Sequence, residues 1–374
     1  GFHSAQDREI GDQYTMSDKP DLIIRGGTVV DGSGGAMFAA DVAISDGCIS
    51  AVGTIPESGM DEIDARGRLV MPGFVDVHTH YDAQVTWANQ ITPSSCNGVT
   101  TVLMGNCGVG FAPVRPEDHD MLISVMEGVE DIPEVVMREG LPWTWASFPD
   151  YLDMLATRQF DVDVATQVPH AALRVFVMGK RGAEREEATA ADRKAMAELT
   201  AEGIRAGAFG FSTSRLLQHQ TAEGEPIPSY GAAEAELAEI ADAVADVGRG
   251  WLQVVGDYGA AIDQEFGLLT HLAKRSGRPL TLTLLQTHAY PEQWQDLLTR
   301  IAAANADGIQ ITGQVRGRPT STLLGFELSE NPFLGCPSWQ ELAPLAIDDR
   351  VSILRDPSFR ARLIIEPAGN SAQI

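Results

Sequence analysis

Two histidines placed two residues apart, His78 and His80, end a short apolar segment of the chain. A Pro-Gly pair begins this segment, and its composition predicts a buried strand. Side chains at alternate positions of a strand point to the same side, so both imidazoles should face one point. Neutral imidazole is a common ligand of transition metals, and the pair could therefore hold one divalent cation. A hydrogen-bonded pair of histidines without a metal is the alternative.

A cysteine, Cys107, follows a second run rich in β-branched residues and lies between Gly105 and Gly108. Glycine permits the sharp turn that would bring this thiol to the end of a strand. A thiolate beside two imidazoles is a donor set suited to zinc. A buried and inert cysteine is the alternative, and it is the commoner state of a free thiol. The neighbouring His-x-His segment favours the ligand interpretation here.

The segments that carry these three residues resemble a known group of enzymes. Residues 71–80, Met-Pro-Gly-Phe-Val-Asp-Val-His-Thr-His, resemble the first barrel strand of the metal-dependent amidohydrolases. Residues 98–110, with Gly-Val-Thr-Thr-Val and Gly-Asn-Cys-Gly, are similar to the D-aminoacylase branch of that superfamily. The resemblance continues through residues 168–174 and 206–214, and it covers most of residues 21–290.

This resemblance implies that His78, His80 and Cys107 bind one or two Zn²⁺ ions. It also implies a hydrolase that cleaves the amide bond of N-acyl amino acids, which in this branch have the D configuration. A zinc ion held in such a site activates water near neutral pH and polarises the amide carbonyl.

The chain also departs from the pattern of the branch. Residues 251–258 lack both the zinc-binding histidine and the substrate-binding arginine expected at the end of the fifth strand. His288 lies a few residues late for the ligand histidine of the sixth strand and remains a ligand candidate. The aspartate general base of the branch would fall beyond Ile374. Asp257 is therefore the candidate catalytic carboxylate, and a helix cap or a turn is its alternative role.

Four further residues are candidates for binding the substrate. Arg215 and Arg174 follow predicted strands, and a guanidinium can bind a carboxylate through two parallel hydrogen bonds. Arg215 is preferred because it follows its strand directly, whereas a surface role for Arg174 is equally open. His170 and His219 are predicted to lie at the mouth of the barrel.

Alternating strands and helices must position these residues. Apolar strands are predicted near residues 74–78, 99–104, 163–168, 207–211, 251–255, 280–285 and 309–315. Helical spacing occurs between them, as at Leu237, Ile240 and Val244 before Gly248. The pattern predicts an α/β fold, a (β/α)₈ TIM-like barrel that is truncated before strand 8, and the resemblance implies that this barrel is of the metal-dependent amidohydrolase type.

Three segments are predicted along the chain. Residues 1–20 are expected to be a disordered extension or a tag, because they are polar and lack an apolar stretch. Residues 21–70 are expected to form the N-terminal part of a small β-sandwich, with a turn at Gly26-Gly27. Residues 71–374 are expected to form an incomplete barrel. Seven strands leave two unpaired edges, so we expect a second chain, residues outside this sequence or a homo-oligomer to cover them.

The composition limits the partners. The 374 residues carry a formal net charge of −25 with no block of basic residues, which argues against nucleic acid and anionic membranes. The chain contains no apolar run of about 18 residues that could span a bilayer. Four scattered cysteines indicate a reducing, cytoplasmic location. The expected partner is a small N-acyl amino acid or a related amide. The alternative is a catalytically impaired barrel fragment or scaffold subunit that needs a second chain.

Overall fold

A computed structural model describes residues 19–287, 289–317, 324–326 and 331–367 of the chain. The chain divides into two compact units, the first ending at Phe74 and the second beginning at Val75. Most of the predicted N-terminal extension lies outside the described residues. None of the helices in the described ranges is both long enough and apolar enough to cross a membrane.

The first unit is built on one five-stranded sheet. Its strands are β1 (Leu22–Val29), β2 (Phe38–Ser45), β3 (Cys48–Gly53), β4 (Asp61–Asp64) and β5 (Leu69–Val70). Their order is β3-β2-β1-β4, and β5 also pairs with β1. The sequence predicted part of a β-sandwich over residues 21–70, and the described residues show five strands in a single sheet.

The turn predicted at Gly26-Gly27 is wrong, because β1 runs through both glycines. The pairing of β1 with β2 shifts register between Ile24 and Gly27, which marks a β-bulge. Gly26 has a φ of +65°, and its N–H donates to Asp41 Oδ1 at 2.7 Å. A bulge uses a left-handed glycine as a turn does, so the sequence signal is the same for both.

The second unit consists of parallel strands and helices. Its strands are β6 (Phe74–Asp76), β7 (Val99–Met104), β8 (Asp163–Thr166), β9 (Val168–Pro169), β10 (Gly210–Ser214), β11 (Trp251–Val255), β12 (Leu280–Thr283) and β13 (Ile311–Gln314). Their orders are β6-β7-β8 and β13-β12-β11-β10-β9. The strands β8 and β9 are separated only by Gln167, whose N–H donates to Met104 O at 3.1 Å. They therefore occupy one strand position, which joins the two sheets.

Helices alternate with these strands. They are α1 (His119–Glu130), α2 (Glu134–Gly140), α3 (Phe148–Ala156), α4 (His170–Met178), α5 (Lys180–Ala183), α6 (Ala190–Ala206), α7 (Glu234–Val247), α8 (Ile262–Ser276), α9 (Gln293–Ala306), α10 (Pro337–Leu342), α11 (Ile347–Leu354) and α12 (Pro357–Ile365). The predicted apolar stripe of α7 is confirmed, since Leu237, Ile240 and Val244 are buried and Gly248 ends the helix in a left-handed conformation. Strand β10 is buried at every position, as expected for a parallel sheet covered by helices.

The strands of the second unit curve toward closure. His78, just beyond β6, and Gln314, the last residue of β13, are joined by a hydrogen bond of 2.8 Å between Nδ1 and Oε1. The described residues occupy seven strand positions without a closed barrel, and those after β13 form helices α10 to α12. Val75 and Val315, near the two edges, are 60% and 67% exposed. These exposed edges are where the predicted additional chain would pack, and that prediction is still open.

Candidate metal centre

The segment after β6 fixes both histidines on one side. Thr79, between them, is buried and faces the other way, where its Oγ1 and N–H donate to Leu103 O at 2.8 and 3.0 Å. This contact ties the segment to β7. The rings of His78 and His80 consequently lie side by side, with centroids 5.4 Å apart.

A left-handed turn places Cys107 at the end of β7. Cys107 has a φ of +57°, which is uncommon for a residue other than glycine and is typical of functional sites. Gly105 also has a positive φ of +70°, and a Cβ at this position would lie 2.3 Å from Gln167 O, so only glycine fits. The N–H of Cys107 donates to Gln253 Oε1 at 3.1 Å, and this side chain comes from β11. Contacts from other strands of the second unit therefore hold the turn.

The three side chains converge as the sequence predicted they would, although their role as ligands stays a prediction. Cys107 Sγ lies 3.1 Å from His78 Nε2 and 3.5 Å from His80 Nε2. The potential ligand atoms of all three residues lie within 4.8 Å of one another. Within the described part of the chain, this is the one set of three or more such donors that meets that distance. A thiol and two imidazoles at this spacing fit a zinc ion in kind and in number.

The two imidazoles of the triad are in the neutral form that binds a cation, whereas the thiol still has to lose its proton. Gln314 Oε1 can only accept, so His78 Nδ1 carries the proton and Nε2 presents its lone pair to the site. Burial lowers the pKa of His78, and burial with the adjacent His78 and His219 lowers the pKa of His80 well below its ordinary value. Burial, with the carboxyl groups of Glu130 and Asp82, raises the pKa of Cys107 well above its usual range. The thiol therefore keeps its proton until a metal displaces it.

Two acidic residues beside the triad were missed by the sequence analysis. Glu130, the last residue of α1, places Oε1 3.1 Å from His80 Nε2. Asp82 is buried and accepts a hydrogen bond of 2.8 Å from the N–H of Gly105. Burial raises the pKa of Asp82 to about 7 and that of Glu130 to about 8. Asp82 lies two residues after His80, the spacing at which side chains of an extended segment share a side, so the sequence could have indicated it. No local pattern indicates Glu130.

Two of the residues predicted to bind substrate lie near the mouth. His219, in the loop after β10, has a pKa lowered to about 4 by burial and by the charge of His78. Its Nδ1 is buried and has no hydrogen-bond partner among the described residues. Arg215 follows β10 directly, but its Nε donates to the carboxylate of Glu265, and its Nη1 donates to Ala232 O at 3.2 Å.

The other two lie elsewhere. His170 and Arg174 are buried in α4, and both bind Glu236 of α7. This burial argues against a direct contact with substrate, because their polar groups are already bonded within the protein.

Asp257 is half-buried two residues beyond β11 and is not part of the triad. His288 lies outside the described residues.

Comparison with known proteins places this arrangement in a family. A sequence model described as the amidohydrolase family matches residues 61–373. The chain therefore belongs to the amidohydrolase family, which confirms the first part of the predicted resemblance. The parallel strands and alternating helices agree with the barrel fold predicted for that family.

The relatives also confirm the predicted branch, and the chain is a divergent member of the D-aminoacylase group. An N-acyl-D-aspartate deacylase of Alcaligenes xylosoxydans xylosoxydans is 38% identical over 208 residues, covering 54% of this chain and 39% of that protein. A D-aminoacylase of the same organism is 30% identical over 275 residues, covering 72% and 50%. A solved D-aminoacylase, which has a binuclear metal centre, matches with a TM-score of 0.65 at 30% identity, over 79% of this chain and 58% of that one. The chain thus spans about half the length of these relatives.

Proposed function

We infer that this chain carries the zinc site of a hydrolase that cleaves the amide bond of N-acyl amino acids, with preference for the D configuration. The convergence of two imidazoles on one thiol, at 3.1 and 3.5 Å, is the observation that carries the proposal. The deacylase and D-aminoacylase relatives support the reaction and the substrate class.

The residues of the chain divide the work of such a site. His78, His80 and Cys107 would hold the Zn²⁺, and Gln314 keeps His78 in the tautomer that presents Nε2. The bound zinc would supply Lewis acidity toward the amide carbonyl and toward water. A carboxylate must then pass a proton to the leaving amine, because an amide nitrogen leaves poorly until it is protonated. Asp257 is our candidate for this carboxylate.

The activity can be tested with N-acetyl derivatives of D-aspartate, D-glutamate and D-leucine and with their L enantiomers. We expect the chain loaded with zinc to release amine from the D compounds, and we expect a chelator to stop the release. The metal content of each sample is measured beside the amine. A sample with a full zinc complement that hydrolyses none of these compounds would contradict the proposed reaction.

The alternative is a barrel that acts only together with a second chain. The exposure of Val75 and Val315 at the two edges supports this alternative, because a second chain could cover them. Light scattering on the purified chain separates the two. A monomer that hydrolyses substrate excludes the alternative. Aggregation or self-association with bound zinc and without activity supports it.

Substrate recognition is expected to need Arg215. A buried substrate carboxylate requires a fixed cation, and Arg215 Nη2 makes no hydrogen bond to the described residues. We expect Arg215→Ala to lower kcat/KM for N-acyl amino acids about thirtyfold, which corresponds to a loss of transition-state stabilisation on the order of 2 kcal/mol. Amide substrates without the carboxylate should change far less.

A control variant makes this measurement specific. Arg275→Ala removes an arginine that pairs with Asp242 on the surface, and it should leave both substrate types unchanged. Equal losses for the two substrate types in Arg215→Ala would exclude Arg215 as the carboxylate-binding residue.

A further inference from the structure

We propose that Glu130 is a fourth protein ligand of the metal centre, supplied by helix α1 in place of the histidine that residues 251–258 lack at the end of a strand. The proposal rests on the zinc site inferred above and extends it. The sequence analysis assigned no role to Glu130, and the residue lies on a helix rather than at the end of a strand.

The first argument is the position of Glu130 relative to the triad. Its Oε1 lies 3.1 Å from His80 Nε2, and the same nitrogen lies 3.5 Å from Cys107 Sγ. His80 Nε2 therefore contacts both the thiol and a carboxylate. Glu130 lies outside the set of donors that are within 4.8 Å of one another, so its carboxylate would shift toward the other donors when a cation binds.

The second argument is electrostatic. Glu130 occupies the carboxyl end of α1, where the helix dipole disfavours a negative charge, and it is followed by Asp131. Asp82, another buried acid, is close by. Zinc accepts carboxylate oxygen beside nitrogen and sulfur, so a carboxyl group that enters from α1 is chemically compatible with the thiol and the two imidazoles.

The third argument is the rigid placement of the helix end. Leu122 and Met126 of α1 are 2% and 0% exposed. Gly128 packs so closely on the loop after β10 that a Cβ there would lie 2.3 Å from Gln220 O. Such packing fixes the direction from which Glu130 enters the site, whereas a surface carboxylate would be free to turn away.

The experiment compares the full chain with Glu130→Gln and with the control Glu139→Gln. Glutamine keeps the shape of the side chain and removes its charge, and Glu139 is an exposed acid of α2. Zinc affinity is measured by competition with a chromophoric chelator. The visible spectrum of the Co²⁺-loaded protein reports the coordination, and thermal unfolding is followed with and without zinc.

For Glu130→Gln we expect a weaker affinity for zinc and an altered Co²⁺ spectrum. Loss of a residue that only hydrogen-bonds to a metal ligand weakens metal binding by about 10- to 100-fold, and loss of a ligand itself should cost at least as much. The metal-free variant should be about as stable as the wild type, because glutamine keeps the shape of the side chain and an oxygen beside His80. Zinc should raise its Tm by less than it raises that of the wild type. The Glu139→Gln variant should match the wild type in every measurement.

Three outcomes would overturn the assignment. Unchanged affinity and an unchanged Co²⁺ spectrum would exclude Glu130 as a ligand while leaving the triad in place. Lower stability of the metal-free variant with unchanged affinity would mean that Glu130 only supports His80. Absence of zinc binding by the wild-type chain would remove the proposed metal centre itself, and with it this inference.

Discussion

Replacement of Cys107 by alanine is expected to remove most of the bound zinc and nearly all hydrolysis. The thiol is the group on which both imidazoles converge, with Sγ 3.1 Å from His78 Nε2 and 3.5 Å from His80 Nε2. Alanine keeps the backbone substituent but offers no donor atom. Removal of a residue that only hydrogen-bonds to a metal ligand lowers metal affinity by about 10- to 100-fold, or about 1.4 to 2.7 kcal/mol. The loss of zinc affinity in Cys107→Ala should be larger than this.

The measurement is zinc stoichiometry and affinity, read beside the rate of amine release. Cys96→Ala is the matched control, because Cys96 is an exposed free cysteine. It should bind zinc as the wild type does. If Cys107→Ala retains the stoichiometry and the affinity of the wild type, Cys107 is not a ligand, and its strained turn requires another explanation.

Replacement of Glu236 by glutamine is expected to destabilise the fold by about 3–5 kcal/mol, because it leaves a buried guanidinium without its counter-charge. The side chains of Arg174 and Glu236 are 2% and 0% exposed, and Arg174 Nη1 donates to both carboxylate oxygens of Glu236. His170 Nε2 lies 2.7 Å from Glu236 Oε1, and its Nδ1 lies 2.8 Å from Thr213 Oγ1. The network therefore joins α4, α7 and β10.

Urea unfolding of the variant measures this loss, and Glu239→Gln on the same helix is its control. Glu239 pairs with Arg193 near the surface, with 38% of its side chain exposed, so its loss should cost less than about 1 kcal/mol. Similar small losses in both variants would show that the buried network contributes no more than a surface ion pair.

The contribution of Glu236 should also depend on pH. Burial alone would raise the pKa of this carboxyl, but the hydrogen bond and charge of His170 and the charge of Arg174 lower it to about 2. A carboxyl whose pKa is lower in the folded state stabilises the fold above its unfolded pKa of about 4.3. The stability difference between wild type and Glu236→Gln should therefore be constant above about pH 5 and shrink as the pH falls toward 2. A constant difference down to acid pH would contradict this origin.

Local patterns predicted much of the site because its first elements are local. The alternation of a predicted strand put His78 and His80 on one side; β6 ends at Asp76, but the extended segment after it keeps both rings together and turns Thr79 toward β7. The glycines on either side of Cys107 predicted a sharp turn, and Gly105 and Gly108 are indeed both in the left-handed region. In each case the backbone conformation of a few consecutive residues decides where the side chain points.

Contacts between segments that are distant along the chain could not be predicted from the sequence. Gln314 sets the tautomer of His78 from 236 positions away, and Glu130 reaches His80 from the end of a helix. Neither residue carries a local signal, because its role exists only once the strands curve and the helix packs. The same reason explains the error at Gly26, where a strand partner turned an expected turn into a bulge.

By itself, the sequence determined the α/β class, the amidohydrolase family and the three donors of the candidate zinc site, since all of these follow from short-range spacing and motifs. Only the tertiary structure decided which polar side chains are already engaged in hydrogen bonds or ion pairs within the protein. It placed Arg174 and His170 against Glu236 and brought the carboxyl group of Glu130 to the triad. The physical reason is that burial and partner choice, and through them the pKa and availability of a side chain, depend on residues that are remote along the chain.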